Sequence, residues 1–163
     1  KKRASSGNQV LNNMFSFSKI QFLFSKEETE IILKAVQEAE RYTSGEIRIF
    51  IESRCAYMDP LQRAYELFSS LKMYDTVNRN AVLIYIAYKD RDFAFYGDKN
   101  IFEKTTDAFW KQQSQNLALG FQENYKAASL IACIQEIGKA LTTFFPFHGE
   151  QKNELPDEIV FGK

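Results

Sequence analysis

The sequence predicts an α/β fold, a three-layer α/β/α sandwich around a mixed sheet, on three observations. Ala81-Val82-Leu83-Ile84-Tyr85-Ile86-Ala87-Tyr88 is a near-continuous apolar run between charged segments, the pattern of a strand buried on both faces at the centre of a sheet. Helical and strand patterns alternate on either side of it. The following turn, Lys89-Asp90-Arg91-Asp92, is too short for a crossover, so the next strand returns antiparallel and makes the sheet mixed.

Taken in order, Ser25-Lys26-Glu27-Glu28 fits a capping box and starts a helix. Ile31, Ile32, Ala35, Val36 and Ala39 share its apolar face, with Glu30, Lys34, Glu38 and Arg41 largely outside it. Thr43-Ser44-Gly45 ends the helix, and Ile47, Ile49 and Ile51 alternate along a strand over residues 46–52. Asp59-Pro60 opens a second helix, with Asp as N-cap and Pro where its missing N–H costs nothing. Its stripe is Leu61, Ala64, Tyr65, Phe68 and Leu71. Strand, helix and buried strand form a βαβ unit with parallel strands and a right-handed crossover, and residues 92–97 add the antiparallel hairpin strand.

From Thr105 or Thr106 a helix carrying Phe109, Trp110 and Leu117 runs toward Gly120. Another, over about residues 123–144, presents Leu130, Ile131, Ile134, Ile137 and Leu141, and Pro146 stops it. Four helices are thus expected around the sheet. Residues 1–22 read as a flexible arm, with Met14 a candidate initiator, residues 23–148 as the domain and 149–163 as a polar tail. The apolar trio Ile159-Val160-Phe161 is expected to dock that tail on the body.

Composition removes several functions. The 21 basic residues match the 21 acidic ones, leaving no electrostatic driver toward nucleic acid or an anionic membrane. No apolar run approaches the roughly 20 residues that span a bilayer, and the Phe-rich stretch over 15–24 is broken by Ser and Lys, unlike a signal peptide. A cytoplasmic location is the expectation. Cys55 and Cys133 are far apart and outside any C-x-x-C pattern, which argues against a disulfide framework or a thiolate zinc site and makes Cys133 a core residue. The phosphate-loop, dinucleotide, nucleophile-elbow and H-E-x-x-H motifs do not occur, and His148 is the single histidine, poorly placed for a nucleophile–base pair.

Acid-and-oxygen chemistry remains, at two sheet edges. The carboxyl ends of the parallel strands bring Glu52, Ser53 and Arg54 toward the 89–92 turn, where open α/β sheets usually bind ligands. At the opposite edge Ser44, Gly45 and Glu46 enter the first strand, Arg79 and Asn80 enter the second, and Gly97-Asp98 leaves the third; Asp107 starts the next helix. If these converge, Glu46, Asp98, Asp107 and the Asn80 amide supply the oxygens that a hard cation such as Ca²⁺ or Mg²⁺ takes. Without convergence, Glu46 pairs with Arg79, Asp107 caps its helix, and Asp90 and Asp92 populate an exposed turn.

Four stretches in this order, Thr43-Ser44-Gly45-Glu46-Ile47-Arg48, Arg79-Asn80-Ala81-Val82-Leu83-Ile84-Tyr85, Gly97-Asp98-Lys99-Asn100-Ile101 and Asp107-Ala108-Phe109-Trp110, resemble the TPM domain family. The likeness runs from about residue 23 to the end, through Phe145-Pro146 and Glu154-Leu155-Pro156, and is to the family's stand-alone soluble branch. It implies a Rossmann-like sandwich. Some members are credited with phosphatase or nucleotide-hydrolysing activity, some with divalent cation binding, and others with non-enzymatic roles in photosystem repair or receptor assembly, so fold alone does not give function. Three departures stand out. Asn80-Ala81 replaces a frequent Asn-Gly, and Ala does not tolerate positive φ; Gly97-Asp98-Lys99-Asn100 replaces Gly-Asp-x-Gly; Arg79 stands where membrane-anchored members often carry Asp. A guanidinium there weakens a metal site and suits a phosphate oxygen.

The expected function is that of a TPM-type domain with a divalent-metal and phosphate site that hydrolyses phosphoesters or nucleotide phosphoanhydrides. Glu46, Asp98 and Asp107 would hold the metal, Arg79 would offset transition-state charge beside Asp98 and Asp107, and Ser44 and Asn80 would contact substrate. Ca or Mg is the expected ion, with no organic cofactor, and a phosphate-containing small molecule the expected ligand. The alternative is a non-catalytic binding or assembly module acting through a protein partner.

Overall fold

The computed structural model describes residues 22–55, 58–149 and 153–162; all of the expected N-terminal arm but Phe22 lies outside them. The elements run α1 (Lys26–Glu40), β1 (Ile47–Glu52), α2 (Pro60–Ser70), β2 (Val82–Ala87), β3 (Asp92–Gly97), α3 (Lys99–Lys104), α4 (Asp107–Gln122), α5 (Lys126–Phe144) and β4 (Ile159–Phe161). Strand order is β3-β2-β1-β4. β1 runs parallel to β2, with Ile47 opposite Val82, and parallel to β4, with Ile49 opposite Ile159, whereas β3 returns antiparallel on β2. The mixed α/β sandwich is therefore present, with the parallel pair at its centre.

Side-chain alternation divides the core into two layers. Ile47, Ile49 and Ile51 of β1 and Val82, Ile84 and Ile86 of β2 face α1, α4 and α5. Phe50 of β1 and Leu83 and Tyr85 of β2 face α2, through Ala64, Leu67 and Phe68, and the C-terminal Leu155. Both central strands are buried along their whole length, because helices cover both faces. Cys133 is a buried core thiol, and Cys55 is also unpaired.

Local chemistry sets the helix starts as expected. Ser25 and Glu28 form the reciprocal capping box, Asp59 accepts from the Gln62 N–H ahead of Pro60, and Thr106 accepts from the Phe109 N–H. Asp107 thus lies in the first turn rather than at the cap. Four details depart from the sequence reading. Ile31, Leu61 and Tyr65 are exposed, so the buried stripes are narrower than the helical spacing suggested. A fifth helix, α3, occupies residues for which no element was expected, capped by the Asp98 carboxylate on the Lys99 N–H at 2.7 Å. The last helix begins at Lys126 rather than near residue 123. Positive φ before β2 falls on Arg79, at 48°, so Ala81 is unstrained.

The tail trio docks as an edge strand. Ile159–Phe161 extends the sheet beside β1, and the Gly162 N–H donates to the Ile51 carbonyl at 2.9 Å. No helix among the described residues is long and apolar enough to cross a membrane.

Candidate functional site

The loop from α1 into β1 is tightly held, and this places Glu46. The Thr43 hydroxyl donates to the Phe145 carbonyl at 2.6 Å, the Ser44 N–H donates to the same carbonyl at 3.1 Å, and Thr43 bridges Pro146. A Cβ on Gly45 would stand 2.6 Å from a Leu141 methyl, so a larger residue would have to displace the Leu141 side chain where the loop closes onto α5. Glu46 follows immediately, 4% exposed.

Glu46 meets two other acids. One ligand atom each from Glu40, at the end of α1, Glu46 and Asp157, in the C-terminal segment, lie within 4.8 Å of one another. Glu40 Oε1 accepts the Ile47 N–H at 2.6 Å, and Glu46 Oε1 accepts the Glu154 N–H at 2.8 Å. Glu46 Oε2 is buried with no hydrogen-bond partner. Burial pushes the Glu46 carboxyl up to about 7, against the backbone N–H groups that favour its charge, and Asp157 and Glu154 add like-charge repulsion. Burial likewise pushes Glu40 up to about 9, with Glu46 and Asp157 adding to the rise. The cluster borders an open hollow of about 510 Å³, whose wall includes Arg41, Ser44, Asn78 and His148.

The expected site residues separate into three places. Arg79 does not pair with Glu46. Its guanidinium grips Asp98 through two hydrogen bonds of 2.6 and 2.9 Å and lies 5.1 Å from the centre of the Tyr74 ring. Asp98 is 1% exposed and fully engaged, by Arg79 and by its own helix cap. Asp107 is exposed and borders a separate hollow of about 350 Å³ with Asp59, Trp110 and Lys111. Ser44 and Asn80 do come together: the Ser44 hydroxyl accepts from the Asn80 amide at 3.1 Å and from the Asn78 amide at 2.9 Å, beside the Glu46 hollow. Asn80 Oδ1 is buried and unpartnered.

Glu40 and Asp157 are the residues that sequence reasoning did not select. For Glu40 a trace existed, since it continues the four-residue spacing of Ile32 and Val36, the buried line of α1. Asp157 had none, because its place depends on the tail's docking register. The opposite edge is closed by internal pairing. Arg63 binds Glu52 through two 2.9 Å hydrogen bonds, Tyr85 donates its hydroxyl to Glu52, and Arg54 pairs with Asp90 at 2.8 Å.

A family model described as the TPM domain matches residues 21–140. Among solved structures, the BA42 protein of the psychrophilic bacterium Bizionia argentinensis is 38% identical, superposes with a TM-score of 0.76, and the match covers 83% of this chain and 93% of that one. The N-terminal domain of the cg2496 protein of Corynebacterium glutamicum shares the fold at 14% identity and a TM-score of 0.59, over 80% of this chain and 81% of that one. No curated protein matches the chain. With most of its length inside the matched model and the expected sheet at its centre, the chain belongs to the TPM domain family.

Proposed function

We propose that this TPM domain binds a divalent cation where α1 meets β1, with Glu40, Glu46 and Asp157 as protein ligands. The observation that supports this most is the Glu46 carboxylate: buried, facing two further acids, with one oxygen lacking any hydrogen-bond partner. A buried carboxylate without a cationic partner is costly, and oxygen-rich sets of this kind suit Ca²⁺ or Mg²⁺. The donor set therefore fits the ion. It replaces the Glu46, Asp98 and Asp107 grouping as the preferred ligand set, since Asp98 is already paired with Arg79.

The hydrolytic reading adds a phosphoester or nucleotide phosphoanhydride as ligand of that ion. The 510 Å³ hollow has room for a phosphate group beside the carboxylates, and Arg41 and Asn78 on its wall offer N–H donors to phosphate oxygens. A bound divalent ion would supply Lewis-acid polarisation and a lowered water pKa. The non-catalytic reading has an observation of its own: Arg79, the cation expected to offset transition-state charge, is committed to Asp98, and the Ser44 hydroxyl to two amides.

Calorimetric titration of the metal-stripped protein with CaCl₂ and MgCl₂ tests the site. Heat that is present in the parent chain and in Asp98→Asn but lost in Glu46→Gln supports it. Heat lost in Asp98→Asn and kept in Glu46→Gln would return the site to the Arg79–Asp98 corner. Turnover of p-nitrophenyl phosphate or a nucleoside triphosphate that depends on the ion and on Glu46 separates the hydrolase from the binding module.

A further inference from the structure

The C-terminal segment, residues 153–162, runs from the acidic hollow along the open edge of β1. Most of its attachments are ordinary packing. Leu155 is buried in the α2-side core, Ile159–Phe161 pairs with β1, Gly162 bonds to Ile51, and Glu158 reaches the buried Arg48 guanidinium at 2.7 Å. At one point docking brings acid against acid. Asp157 faces Glu40 and Glu46, and Glu154 adds a further negative charge acting on Glu46.

The ligand set is thereby split between two parts of the chain. Glu40 and Glu46 belong to the body, whereas Asp157 belongs to the segment. Only the docked arrangement offers all three carboxylates, so a cation has higher affinity for it than for a body from which the segment has lifted. Within this grouping Glu46 is more than nine-tenths buried and, while its Oε1 accepts the Glu154 N–H, its Oε2 has no hydrogen-bond partner, an unmet valence that a ligand here would fill.

We infer that the cation is the latch of this segment: bound between Asp157 and the Glu40–Glu46 pair, it fastens residues 153–162 to the β1 edge, and its withdrawal lets the segment lift and uncovers Arg48 and that edge. The inference rests on the cation site proposed above. Its physical content is linkage, because a ligand that binds only the docked state multiplies the docked population by 1 + [L]/Kd. A cation at a hundred times its Kd thus raises protection of the segment's amides about a hundredfold. An exposed strand edge is also a template for pairing with another chain, so uncovering it changes what the domain presents.

Amide hydrogen exchange read by NMR on the full chain, in EDTA and then in CaCl₂ or MgCl₂, tests this with the titration run in parallel. The reporters are the Gly162 N–H, bonded to Ile51, and the Glu154 N–H, bonded to Glu46; Ile84 and Ile134 in the core are the reference. The cation is expected to slow exchange at Gly162 and Glu154 about a hundredfold at a hundred times Kd, with the core unchanged. Asp157→Asn should remove the rise. Glu158→Gln, which loosens the segment without touching a ligand, should lower protection in both conditions and keep the rise. Cation heat with unchanged segment protection overturns the latch and leaves the cation site standing, as does a rise shared equally by the core. No heat at all sinks the cation site and the latch with it.

Discussion

Glu46 and Glu52 stand at opposite ends of β1, equally withdrawn from solvent at 4% and 7% exposure, and they meet opposite surroundings. Glu52 is held by the Arg63 fork and the Tyr85 hydroxyl. Glu46 has backbone N–H groups for one part of its carboxylate, Glu40 and Asp157 beside it, and an oxygen with no partner. One end of the strand has its carboxylate held by a cation and a hydroxyl of the chain, and the other leaves a buried carboxylate oxygen without a hydrogen-bond partner. The difference teaches that burial alone does not mark a site; burial without internal compensation does.

Breaking the compensated end should have the largest effect. Arg63→Ala leaves Glu52 buried without its cation, and since Arg63 is itself about one-third exposed the expected loss is about 2–3 kcal/mol, below the range for a wholly buried pair. Urea unfolding of the variant reads this as a lowered midpoint. A loss under about 0.5 kcal/mol would mean that the two ends differ less than their geometry indicates.

The uncompensated end should show itself through pH. Glu46 is raised to about 7 and Glu40 to about 9, so between the ordinary carboxylate range and these values the folded protein holds protons that the unfolded chain has released. Stability of the cation-free protein therefore falls as pH rises from about 5 through 7 and onward to 9, by on the order of 3 kcal/mol for the Glu46 step. Glu46→Gln should flatten that step and leave the cation-free variant about 1 kcal/mol more stable than the parent at pH 8. Unfolding curves across this range decide it; stability that stays level or increases contradicts the assignment.

Two smaller perturbations sharpen the contrast. Arg79→Ala deprives Asp98 of its ion pair and should lower the melting temperature while leaving cation heat intact, because the Arg79–Asp98 pair is separate from the carboxylate cluster. Loss of cation heat in that variant would tie the two corners together. Arg54→Ala removes a pair with Asp90 in which the arginine is 65% exposed, and should change stability by less than about 0.5 kcal/mol in the same urea assay.

Much of the scaffold was legible because its causes are local. Ser25, Asp59 and Thr106 cap helices through bonds to residues three positions away, and a buried parallel strand writes itself as an apolar run. Helix α3 was hidden because its six residues carry no apolar period and its cap is one carboxylate on the next N–H. The positive φ of Arg79 was equally hidden, since the sequence pointed to Ala81.

The site was half legible for a different reason. Sequence placed Ser44, Glu46, Asn80 and Asp98 at one end of the sheet because strand ends follow from strand runs. It had no means to pair them. Arg79 has both Glu46 and Asp98 within topological reach, and the bidentate fit to Asp98 is a matter of backbone direction and side-chain geometry. The sequence by itself determined the sandwich, the order of the mixed sheet's first three strands and the docking of the tail, all driven by periodic burial of apolar side chains. Tertiary structure alone decided which acids met which cations. It brought Glu40 and Asp157, 117 positions apart, to Glu46 through the docking of the C-terminal segment.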